Sequence, residues 1–218
     1  MSHSLHRYGT VEDLKNDFCI YSRAARGVNR ENCGDKLRRI LSIYISEEIV
    51  NFGSSHSGSS YIAGLDPKEY AKTLDNSYGI IATFSKRQAV LGVLKKMKEA
   101  NIGISVVVSG LIDEVTQIAY DAGLKPHTAT ISLGIYGKKK LLPENEVLKV
   151  VTMCGHSLVG SQLVCSVQED IKRGAITPDE GAKILAKPCT CGIFNTVRCL
   201  QLFGAKEANP DTCERSKQ

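Results

Sequence analysis

No apolar run in this sequence approaches the roughly 18 to 20 residues that a membrane-spanning helix needs, which excludes a helical span. The opening stretch, MSHSLHRYGTVEDLK, lacks the apolar centre and small-residue cleavage pattern of a secretory signal, so the expected setting is the cytoplasm, where thiols stay reduced. Aromatic interleaving and any DNA- or RNA-binding motif are also missing. The net charge of +5, from 28 basic against 23 acidic residues, is too weak a field to argue for nucleic acid and supports only a mild preference for an anionic ligand. Internal repeats and low-complexity tracts are absent. Cysteine, by contrast, is abundant, with eight at positions 19, 33, 154, 165, 189, 191, 199 and 213. A chain of 218 residues buries a core without covalent staples, and a reducing compartment disfavours disulfides. Metal binding or thiol chemistry is therefore the expected use.

Periodicity and punctuation divide the chain into N-terminal helices over 1–47, a small α/β domain over 48–142 and a helical cysteine-rich domain over 143–218. Thr10, followed by Val11, Glu12 and Asp13, starts a helix expected to reach about residue 25, and KLRRILSIYI carries a second. In the middle, EEIVNF, YGIIATF, GISVVVSG and TATISLGIYG read as strands, and SKRQAVLGVLKKMKEAN as an amphipathic helix that Ser85 can cap. A strand, helix, strand succession of this length favours a right-handed parallel crossover. The expected fold class is α/β or α+β, a small sandwich with a partly parallel sheet followed by the helical domain. Past Pro143 the pattern becomes helical, and Thr177, Pro178, Asp179 and Glu180 combine a hydroxyl cap, Pro at the first position and Glu three residues after the cap.

Two short phrases carry the chemistry. In MCGHS a helical pattern breaks at Cys154, Gly155 and His156; in KPCTCG, Pro188 ends a helix and delivers Cys189, Thr190, Cys191 and Gly192 in a turn. Each phrase sets two soft ligands one residue apart, and backbone N–H groups bared at such turns can donate to thiolates. A shared site follows. The first expectation is a [4Fe–4S] cluster on Cys154, Cys189 and Cys191, with Cys199 or His156 as fourth ligand, because a cluster spans several ångströms and tolerates varied spacing. The alternative is zinc on Cys154, His156, Cys189 and Cys191, although zinc pairs more often leave two to four residues between ligands.

Three further cysteines are read as follows. Cys165 is a packing residue, and Cys19 and Cys33 could meet if their segments formed a helical hairpin. The loop FGSSHSGSS offers Ser55, His56, Ser57 and Gly58 as an anion site, without the spacing of a phosphate-binding or dinucleotide-binding loop. These features anticipate an iron–sulfur protein doing redox or Lewis-acid chemistry, with a small anionic molecule or a redox protein as partner and neither nucleic acid nor membrane. Two alternatives are a zinc-stabilised interaction module and a cysteine-nucleophile enzyme in which Cys154 pairs with His156.

Overall fold

A computed structural model describes residues 7–54 and 58–204. Its first helix, α1 (Val11–Leu14), has the expected capping box, with the Asp13 amide donating to Thr10 Oγ1 at 3.2 Å and the Thr10 amide to Asp13 Oδ2 at 2.9 Å. The helix ends there, and the segment expected to continue it is strand β1 (Phe18–Arg23). Phe18 and Ile20 point into one apolar cluster, while Cys19 and the half-buried Tyr21 point into another. A strand buried on both faces shows no polar alternation, so its apolar run resembles that of a helix.

Helix α2 (Gly34–Ile45) follows, burying Leu37, Ile40, Leu41 and Tyr44 at helical spacing. Strand β2 (Ile49–Ser54) and the short β3 (Ser59–Ser60) come next, then α3 (Pro67–Thr73) and β4 (Gly79–Phe84). Helix α4 (Arg87–Ala100), β5 (Ser105–Ser109) and α5 (Ile112–Asp121) complete the first part. The N-cap of α4 is Lys86, without a side-chain cap bond, so Ser85 does not cap it.

The five strands form one sheet in the order β3-β2-β4-β1-β5, and every hydrogen-bonded pair is antiparallel. This corrects the partly parallel sheet, and no sandwich of two sheets is present among the described residues. The crossover through α4 does join β4 and β5 in the same direction, but β1 lies between them, antiparallel to both. The main strands and α2 and α4 thus follow a β-α-β-β-α-β order with split crossovers. A strand supplied from outside the window 48–142 fills the gap that the sequence reading closed directly. The segment 128–137, expected as a strand, is irregular and exposed.

Helices α6 (Asn145–Val151), α7 (Ser161–Lys172), α8 (Pro178–Ala186) and α9 (Thr196–Gly204) cover the other face of the sheet. The expected capping box opens α8, with the Glu180 amide 3.2 Å from Thr177 Oγ1 and the Thr177 amide 2.7 Å from Glu180 Oε2. Phe18, Ile20, Phe52, Ile80 and Phe84 pack with α2 and α4; Cys19 and Ile81 pack with Val147, Val164, Leu185 and Phe194. Burial of such aliphatic and aromatic side chains, about 1.5–3 kcal/mol each, holds both layers to the sheet.

Candidate metal centre

The two cysteine phrases meet between the sheet and the helical layer. After α6, the amides of Met153 and Cys154 bond to the carbonyls of Val150 and Val151, and a turn closes with the Ser157 amide on the Cys154 carbonyl at 3.0 Å. Ser157 holds a φ of +56°, an uncommon conformation for a residue with a side chain, and this bend turns the chain out of α6. In the second phrase the Cys189 amide bonds to Ala186 O and the Gly192 amide to Cys189 O at 3.1 Å, curling Cys189 to Gly192 into a knuckle.

The sheet fixes that knuckle from below. Gly192 has a φ of +74°, and a Cβ there would lie 2.1 Å from the Phe52 carbonyl carbon and 2.4 Å from the Gly53 nitrogen. The loop therefore rests backbone on backbone against β2, an approach that only glycine permits. Buried polar groups of the sheet complete the seat. Thr83 Oγ1 donates to Gly192 O at 3.0 Å, and Asn51 Nδ2 to Phe194 O at 3.3 Å.

Four of the expected ligands come together. Cys189 Sγ and Cys191 Sγ are 3.9 Å apart, Cys191 Sγ is 3.5 Å from His156 Nδ1, and Cys154 hydrogen-bonds to Cys189. The three thiols are buried, whereas His156 is exposed. Among the described residues no three His, Cys, Asp or Glu side chains close on a common metal-coordination point. The donors stand as hydrogen-bond partners.

Backbone amides face the sulfurs in both turns: those of His156 and Leu158 towards Cys154, that of Phe194 towards Cys189, and that of Ile193 towards Cys191. The donors to Cys154 and Cys191 include, in each case, the amide two residues on. The thiols are strongly unequal. Cys154 is pushed up by its hydrogen bond to Cys189 and by burial. Cys189 is pulled down by Cys154, but the bond to Cys191 and burial outweigh this and push it up to about 12. Cys191 accepts from Cys189 and is held below the usual thiol range despite burial. Of the three thiols Cys191 is thus the readiest to lose its proton and Cys154 the least ready.

Beside the thiols lies an ion network that the sequence reading missed. Asp17 is fully buried and accepts from Arg7, from Arg198 Nη1 at 2.9 Å and from Asn195 Nδ2 at 2.9 Å. Arg7 also donates to the Ile193 carbonyl, and its Nη2 lies 3.0 Å from Cys19 Sγ. Thr83 Oγ1, already bonded to the knuckle, is 3.5 Å from the same sulfur. Cys19 therefore borders the site from β1. The available signal was a charged residue, Arg198, placed between the apolar Val197 and Cys199 of a helical phrase.

The other expectations separate. Cys199 is buried on α9, where burial pushes it up to about 12 and Arg198 is the charged group acting on it. Cys165 is buried as expected, but it is disulfide-bonded rather than a free thiol. Cys19 and Cys33 lie in different apolar clusters, and Cys33 Sγ is 3.4 Å from Ser77 O. Of the anion loop, Ser55, His56 and Ser57 lie outside the described residues, and Gly58 is exposed with a φ of +68°. No family model, curated protein or solved structure matches the chain.

Proposed function

We propose that Cys154, Cys189, Cys191 and His156 bind one thiophilic metal ion, zinc being the best fit, and that the ion ties the helical layer to the sheet. The observation that carries this reading is a chain of contacts, Cys154 to Cys189, Cys189 to Cys191 and Cys191 to His156, which brings three buried thiols and one imidazole from two separate helix breaks next to one another, short of a common coordination point. Thiolates sharing one zinc at about 2.3 Å lie about 3.8 Å apart, and a thiolate and an imidazole about 3.6 Å apart. The separations of 3.9 Å and 3.5 Å match both. In a [4Fe–4S] cluster each cysteine ligates a different iron, so the sulfurs stand farther apart, whether Cys199 or His156 is the fourth ligand. The spacing therefore favours the single ion over the cluster.

Charge supports an anionic centre. Two guanidiniums share the Asp17 carboxylate, leaving one positive charge uncompensated beside the site. A divalent ion with three thiolates and a neutral imidazole carries one negative charge. Its binding would also release the protons that now hold the crowded sulfurs apart from mutual repulsion.

Anaerobic purification followed by metal and sulfide analysis tests the assignment. The expected result is one zinc per chain without acid-labile sulfide, lost in Cys189→Ser and Cys191→Ser and kept in Cys199→Ser. A brown protein with stoichiometric iron and sulfide, bleached by Cys189→Ser or Cys191→Ser, would instead establish the cluster. Failure of the reconstituted chain to hold any metal would sink both forms.

One contact favours a second reading. His156 meets Cys191, not Cys154, and Cys191 is the thiol with the lowered pKa, which is the arrangement of an activated nucleophile. In metal-free protein, iodoacetamide should alkylate Cys191 ahead of Cys154 and Cys189 below pH 8, and His156→Ala should slow it. Equal labelling of the three thiols would remove this alternative.

A further inference from the structure

We infer that residues 128–136 form a dimerisation strand, pairing antiparallel with the same segment of a second copy of the chain. Residues 125–142 are all exposed. Within them Ile131, Leu133 and Ile135 alternate as a half-buried strand requires, yet they are 64%, 79% and 38% exposed. Among the described residues, the hydrogen bonding of 128–136 amounts to the Gly134 amide on Ser132 Oγ at 3.2 Å. A row of open backbone groups carrying an apolar stripe is a template for strand pairing.

The occupant follows from symmetry and charge. Residues 128–137 hold no charged side chain, while Lys125 lies before them and Lys138, Lys139 and Lys140 after. A two-fold axis at Leu133 sets Leu133 opposite itself and Ile131 opposite Ile135, so the three apolar side chains of each copy share one face. It also holds the two lysine triplets about 40 Å apart. Parallel pairing would bring the triplets side by side. The antiparallel, self-complementary arrangement is the isologous contact of a closed dimer.

Gly134, whose φ of +98° bends the segment in the isolated chain, can become extended without steric cost. Two strands alone are marginal. The elements just before the segment offer further exposed apolar groups for the ribbon to pack on: Val107 of β5, and Ile112 and Tyr120 of α5.

The full-length chain should sediment as a dimer. Leu133→Lys places like charges face to face on the axis and should weaken the dimer about tenfold or more, with an unchanged circular dichroism spectrum. Leu133→Cys should crosslink between copies under mild oxidation, because opposed residues lie about 4.5–5.5 Å apart at Cα, within disulfide reach. Ile131→Cys, facing residue 135, should crosslink much more slowly. Each of three results would overturn the proposal. One is a monomer at all concentrations with slow amide exchange over 128–136, which would mean pairing with the free edge of β5 in the same chain. Another is a monomer that binds anionic vesicles through this segment. The third is crosslinking of Leu133→Cys no faster than that of the unsubstituted chain.

Discussion

At the level of single residues, the candidate site depends on a glycine as much as on its cysteines. Gly192 carries a positive φ and lies against the β2 backbone, so Gly192→Ala meets both a conformational and a steric penalty. Urea denaturation should show a loss of at least about 2 kcal/mol, with metal uptake falling alongside. Gly174→Ala is the matched control. Gly174 has a similar φ of +70° but nothing near its missing Cβ, and its substitution should cost only about 1 kcal/mol. If the two variants unfold at the same urea concentration, backbone contact at β2 does not seat the knuckle. The two cysteine phrases were legible as candidates because two soft side chains beside a helix breaker stand out in any context. The seat was not, because Asn51, Thr83 and Gly53 are ordinary strand residues until the knuckle is laid on them.

Among the elements, legibility tracked how far local signals decide the structure. Both capping boxes, at Thr10 and Thr177, lie where a hydroxyl and an acidic residue three positions later announce them. Helices α2 and α4 follow their apolar stripes closely. Strand β1 fails the same test for a physical reason. Lying between β4 and β5 with helices on both faces, it buries Phe18, Cys19, Ile20 and Ser22 without alternation, and a good capping box just upstream suggests a helix passing through it. The segment 128–136 has the reverse problem. It has the period of a strand, but period specifies a side-chain pattern and does not supply a pairing partner.

For the whole molecule, the Asp17 network matters because it joins β1, α9 and the segment before α1 in one buried ion cluster. Burial alone would raise the Asp17 pKa, yet Arg7 and Arg198 outweigh burial and hold it below the usual carboxylate range. A folded-state pKa below the unfolded value, about 3.9, contributes stability that is complete above that value and is lost as pH falls through the folded one. Urea midpoints of the chelator-treated protein should therefore drop in that acid window. Asp17→Asn leaves two guanidiniums without their anion; it should lose about 3–5 kcal/mol at neutral pH and show a flatter acid limb. An acid limb unchanged by the substitution would assign the acid sensitivity to other carboxylates.

The interior position of β1 also bears on how the protein is made. This strand is translated early, but its neighbours β4 and β5 follow about 60 to 90 residues later, and the Asp17 contacts to Asn195 and Arg198 span 178 and 181 positions. A nascent chain therefore waits with β1 unpaired on both edges until β4 and β5 emerge, and with Asp17 held by Arg7 alone until α9 leaves the ribosome. Such long loop closures slow folding and lengthen exposure to wrong partners, so during synthesis this is a chain that gains most from chaperones that hold rather than fold.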